Sequence, residues 1–153
     1  MEFDNLGNLS PYTVIKTDWM TFEANFVHRF PQSITRKNLF GEFSDYLISL
    51  KNILGNDFFQ WVDGSFVTNK LNPNDIDLVT FVDWEIYAAN ESKIDSLRDF
   101  RNNTDARIDG YFVPVYSENH KKHVLYQADN LQWLYQFSRS RTDRKKGFIQ
   151  LNH

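Results

Sequence analysis

"FFQWVDGSFVTNKLNPNDIDLVTFVD", residues 58–83, decides how this chain is read. Two apolar, aromatic and β-branched runs, FFQWV (58–62) and DIDLVTFVD (75–83), flank a polar stretch punctuated by Gly64, Asn72 and Pro73. Apolar runs of this length bounded by turn residues read as strands. Eleven positions separate Gly64 from Asp75, room for a short helical turn and a reversal through Asn72-Pro73. Asp75 and Asp77 are two apart, so on a strand they share a face, with Cα atoms about 6.6–6.8 Å apart. Ile76 and Leu78 then point the other way, into a core. Two such carboxylates repel by on the order of 4 kcal/mol at ~4 Å in a medium of effective dielectric ~20. An ordinary strand gains nothing from that repulsion, and a hard divalent cation removes it. Mg²⁺ takes one or two carboxylates and fills its other positions with water and substrate phosphate. The competing reading is a plain turn with a charge pair at a strand edge, which NPND suits well.

Outward from this stretch, the spacing of Trp19, Phe22, Phe26 and Phe30 predicts a helix over 18–30, capped by Thr17 or Asp18 and ended by Pro31. Leu39, Phe43, Leu47, Leu50 and Leu54 form one apolar stripe, predicting a second helix over 35–54 with Gly55 as its stop. A short polar helix is expected over 90–100, a third strand over 106–116, a helix over 128–137 and a last strand over 147–151. Residues 1–16, with Gly7, Ser10 and Pro11, read as an extended arm. Helices lead, strands occupy the middle and a helix follows them. That order predicts an α+β fold, helices packed on a mixed sheet, in a single domain over 1–153.

Composition narrows the function classes. The chain has 153 residues and a net charge of −3, against a general nucleic-acid coat, which is basic. It has no cysteine, which excludes disulfides and thiolate-bound zinc and fits a reducing compartment. The start, MEFDNLGNLSPYTVIK, has neither a basic leader nor a long apolar run, so a cytoplasmic location and no membrane partner are expected. There is no Walker A loop and no dinucleotide-binding glycine fingerprint.

A Gly-Ser turn leaving a buried strand offers N–H groups and a hydroxyl to phosphate oxygens. A third carboxylate would complete a site with Asp75 and Asp77. In RIDGYFV, Asp109 shares a strand face with Tyr111, Val113 and Val115, an acid at the head of an otherwise apolar face. It either marks a strand end near solvent or helps deprotonate an attacking hydroxyl.

GSFVT…PNDIDLV resembles the Gly-Ser…Asp-x-Asp signature of the polymerase-β-like nucleotidyltransferase superfamily, especially its small bacterial, minimal members. The resemblance covers residues 58–115 by motif order, and the tail YQFSRSRTDRKKGFIQL is similar to the ending of one uncharacterised group of them. It implies a nucleotidyltransferase-like mixed sheet. It also implies that Gly64 and Ser65 hold the β and γ phosphates of an NTP, that Asp75 and Asp77 bind Mg²⁺, and that Asp109 is the third carboxylate, beside an acceptor hydroxyl. Asp109 is placed by order and strand pattern, with Asp105 as its competitor. The chain departs from the pattern where many active relatives carry an Arg shortly after Gly-Ser. Here stand Phe66, Val67, Thr68, Asn69 and Lys70, and Lys70 is the candidate for the phosphate role.

Arg139, Arg141, Arg144, Lys145 and Lys146 form the one dense basic stretch, either a solvated loop or a grip on triphosphate, with Arg144 and Lys146 as candidate nucleotide contacts. Asp63 reads as a turn residue. His120 and His123 lie among lysines with no acid nearby, a poor metal site. Asp83 is about 20 Å along the strand from Asp77, too far to share its metal. The leading expectation is a Mg²⁺-dependent transfer of a nucleoside monophosphate from an NTP to a hydroxyl on a protein, an RNA end or a small molecule. The alternative is an inactive module of the same fold that holds nucleotide or a partner protein. The resemblance also implies a possible pairing with a cognate toxin or antitoxin.

Overall fold

The computed structural model of the chain describes residues 1–101 and 107–153. The expected competitor Asp105 and the first residue of the predicted third strand lie outside the described residues. Asp18 caps the first helix, accepting the Thr21 N–H at 2.8 Å. That helix, α1 (Trp19–Glu23), passes into a π-helical turn (Ala24–His28) before Pro31, so the predicted 18–30 helix is present but changes its winding. Phe22 and Phe26 are fully buried by it. Helix α2 (Arg36–Leu54) buries the whole predicted stripe, and Gly55 ends it at φ 79°. Its start is held by Ser33, whose Oγ accepts the Arg36 N–H at 3.1 Å.

The main sheet has five strands: β3 (Val14–Thr17), β4 (Phe58–Asp63), β5 (Ile76–Asp83), β6 (Ile108–Val115) and β7 (Phe148–Asn152). Their order is β3-β7-β4-β5-β6. The β3–β7 and β5–β6 pairs are parallel and the two central pairs antiparallel, which makes the sheet mixed. The expected α+β class is therefore the observed one. The arm is less extended than its sequence reads. β1 (Glu2–Phe3) and β2 (Leu9–Ser10) pair as a small hairpin, and β3 joins the main sheet as its edge. Helix α3 (Trp84–Ala89), not foreseen, starts where Asp83 caps the Glu85 N–H at 2.8 Å. It precedes α4 (Glu91–Arg101). Helix α5 (His123–Phe137) begins a turn earlier than predicted.

Alternation along β5 divides the core in two. Ile76 and Leu78 face Leu39 and Phe43 of α2. Val79 and Phe81 face the opposite way, with Phe137 and Trp133 of α5. Helices thus cover both faces, and α5 stands over the face that carries Asp77. No helix among the described residues is long and apolar enough to cross a membrane.

Candidate functional site: an acidic row beside a Gly-Ser turn

Pairing, not proximity in sequence, assembles the site. In the antiparallel β4–β5 ladder Asp63 is the register partner of Asp77, and in the parallel β5–β6 ladder Asp77 is the register partner of Asp109. Register partners point to the same face. Three strands therefore set Asp63, Asp77 and Asp109 in one row, on the α5 face of the sheet. Asp75 sits just before β5, exposed, while the next residue's N–H is fixed by the Arg107 carbonyl at 2.9 Å. The four acids line one open cleft of about 890 Å³ together with Gly64, Ser65, Lys70, Tyr111, Trp133 and Arg141.

The Gly-Ser turn meets the row directly. Gly64 has φ 79°, and a Cβ there would fall 2.0 Å from Asp77 Oδ2. Only glycine lets the backbone approach the carboxylate this closely without strain. Ser65 opens a single 3₁₀ turn (Ser65–Val67), closed by Thr68, whose Oγ1 donates to the Ser65 carbonyl at 2.8 Å. We expect Gly64→Ala to cost about 1–3 kcal/mol and to push Asp77 out of the row. A urea midpoint equal to that of the wild type would contradict this.

Burial drives the Asp77 carboxyl up to about 6, and the negative charges of Asp75, Asp63 and Asp109 add to the shift, against a smaller opposing pull from Lys146. Asp63 is the residue that sequence reasoning misjudged. It is the last residue of β4, not a turn residue, and is 5% exposed. Lys146 Nζ lies 2.5 Å from both of its carboxylate oxygens. Burial raises the Asp63 carboxyl while Lys146 lowers it. Lys146 is delivered by a turn whose ends meet at the Arg139–Lys145 bridge and the Lys146 N–H to Ser138 carbonyl bond.

The basic residues divide. Lys70, Arg139, Arg141 and Lys146 line the cleft, and Lys146 does so already paired to Asp63. Arg144 is exposed and is not among the cleft's lining residues, because the 139–145 turn folds back on itself through the Ser140 hydroxyl and the Arg144 N–H. It is therefore no cleft contact in this arrangement. His120 stacks on Tyr116 and lies tilted against Trp84, and His123 bonds the Tyr116 carbonyl at 2.8 Å; neither lines the cleft. Asp83 is spent as a helix cap.

All four donors are carboxylates, hard oxygen ligands suited to Mg²⁺. The Asp77 carboxyl is raised by its burial first and by the neighbouring carboxylates second. As they stand, no three of the described His, Asp or Glu side chains form a group that could hold a metal ion. The sequence expectation placed Asp75, Asp77 and Asp109 close enough to share metals. The cleft unites them, but not as a closed cage.

An α+β domain with a mixed sheet and an acidic, glycine-bordered cleft is the class that fold and site define. The chain belongs to the family described as a family of unknown function (DUF6932), which matches residues 1–152. No curated protein and no solved structure matches it.

Proposed function

We propose that this protein is a Mg²⁺-dependent nucleotidyltransferase that moves a nucleoside monophosphate from an NTP to a hydroxyl on a protein, an RNA end or a small molecule. The observation that carries the reading is the register match of Asp77 with Asp109 on adjacent parallel strands, opening with Gly64-Ser65 into one cleft. Asp75, Asp77 and Asp109 would hold Mg²⁺, which would neutralise charge on the phosphates and on the row. Gly64 and Ser65 would bind the β and γ phosphates, with Lys70, Arg139 and Arg141 as cations around them. Asp109 would take the proton of the attacking hydroxyl.

The test is the fate of label from α-labelled and, separately, γ-labelled NTP with Mg²⁺ and a lysate of the source cell. Label from the α position is expected on a product and should fall to background with Asp75→Ala/Asp77→Ala. Label carried only from the γ position would mean a kinase. A second reading, a non-catalytic nucleotide- or protein-binding module, is favoured by the Lys146–Asp63 pair, which already places one cation against the row. Tight Mg²⁺-dependent NTP binding with no transfer from any of the four NTPs would select it.

A further inference from the structure

A hydroxyl already stands against the carboxylate proposed as the base. Tyr111 lies two residues beyond Asp109 on the same face of β6, and its phenol donates to Asp109 Oδ2 at 3.3 Å. Its ring is seated against Trp133 of α5, with centroids 4.7 Å apart at 51°. Both rings line the cleft that holds the acidic row. Tyr111 is half-buried, so the packing of its ring fixes where its hydroxyl sits.

We infer that Tyr111 is itself an acceptor: with an NTP in the cleft, the protein transfers a nucleoside monophosphate to its own Tyr111 hydroxyl. This rests on the transferase reading of the same site. In the step, the phenol oxygen forms a bond to the α-phosphorus, and the bond from that phosphorus to the oxygen bridging the β phosphate breaks. Pyrophosphate leaves, and the phenol proton passes to Asp109. The product is a tyrosyl phosphodiester, and no oxidant or reductant takes part. Two physical facts favour the phenol. It is tethered, so no encounter entropy opposes the attack. It is hydrogen-bonded to a carboxylate that can take its proton. The adduct would remain beside Asp109 and fill the acceptor position, so modification should stop at one nucleotide per chain and silence that copy toward other acceptors.

The experiment uses the purified full chain, Mg²⁺ and each of the four NTPs in turn, with no lysate, read by intact mass and peptide mapping. The expected result is one added nucleoside monophosphate mapped to Tyr111. It should be absent from Tyr111→Phe, with circular dichroism showing that this variant folds. An adduct that maps elsewhere, or persists in Tyr111→Phe, overturns the inference. So does a wild-type chain that stays unmodified while transferring α-label to an acceptor in lysate, an outcome that leaves the transferase reading standing. If that unmodified chain transfers and Tyr111→Phe slows the transfer, Tyr111 is a positioning residue for Asp109. Absence of α-label transfer both to the chain and in lysate removes the transferase reading, and this inference with it.

Discussion

Asp77→Asn is expected to melt above the wild-type protein at pH 7 in chelating buffer, and to gain nothing from Mg²⁺ and NTP. The Asp77 carboxyl is pushed up to about 6 by burial and by Asp75, Asp63 and Asp109, from an ordinary value of 3.8. Between those two values the folded chain binds more protons than the unfolded chain, so this group's contribution to stability falls as pH rises. The penalty is absent below about pH 4 and complete above about pH 6. At pH 7 it amounts to roughly 3 kcal/mol as an upper bound. A neutral carboxamide removes it, and each kcal/mol moves the midpoint of a domain this size by about 2–4 °C. The gain should therefore shrink to nothing when both proteins are melted near pH 4. The same substitution takes away a proposed Mg²⁺ ligand, so the stabilisation by Mg²⁺-NTP that the proposed function expects of the wild type should vanish. A variant that is less stable than wild type at pH 7 would show that Asp77 is held by favourable bonds that outweigh its burial and the neighbouring charges. A variant that still gains fully from Mg²⁺-NTP would reject it as a ligand.

Much of this site was legible in the sequence because its signals are local. Ile76, Asp77 and Leu78 alternate and Gly64 sits at the end of an apolar run, so face and turn follow from period and residue type, while Asp75, expected on the same strand, lies just before it. The apolar stripe of α2 and the strands β4 to β6 were legible for the same reason. What stayed hidden depends on pairing between distant segments. Asp63 looks like any aspartate before a glycine, and the lysine it pairs with, Lys146, lies 83 positions away. The β1–β2 hairpin has strands of only two residues, too short for a period. Arg144 and Lys146 are indistinguishable in a basic run, and the turn that exposes one and buries the other is fixed by its own internal bonds. Tyr111 was visible only as a member of an apolar face. Its bond to Asp109 needed the side-chain geometry.

Arg36 shows the same limit and carries the largest expected loss of stability. It begins the α2 stripe three residues before Leu39, a position that a charged side chain would normally avoid, and it is fully buried. One terminal nitrogen donates to the Phe26 carbonyl at 2.8 Å and the Phe66 carbonyl at 2.7 Å. The other donates to the carbonyls of Thr68 at 2.8 Å and Lys70 at 2.6 Å. The guanidinium also lies over the Phe30 ring, 3.9 Å from its centroid. Desolvation lowers its pKa to about 10, so it is still charged at neutral pH. Three of its four carbonyls belong to the segment that follows Gly64-Ser65. Arg36 thus braces that segment from beneath, aimed at backbone and not into the cleft. Arg36→Met would remove the charge but strand four acceptors, two buried and two part-buried, and a buried one costs about 1–3 kcal/mol when left unpaired. With the two part-buried ones rescued by water, the loss is about 2–6 kcal/mol, a large share of a typical domain's 5–15 kcal/mol. Arg36→Lys keeps the charge but has no planar fork with which to serve two pairs of carbonyls, so it should fall between. Urea unfolding gives the stabilities, and amide exchange at residues 66–70 reads the loop. Exchange there should quicken in Arg36→Lys before the sheet is affected, and Mg²⁺-dependent NTP affinity should drop with it. An Arg36→Met protein within 1 kcal/mol of wild type would mean that the loop holds its shape without the clamp.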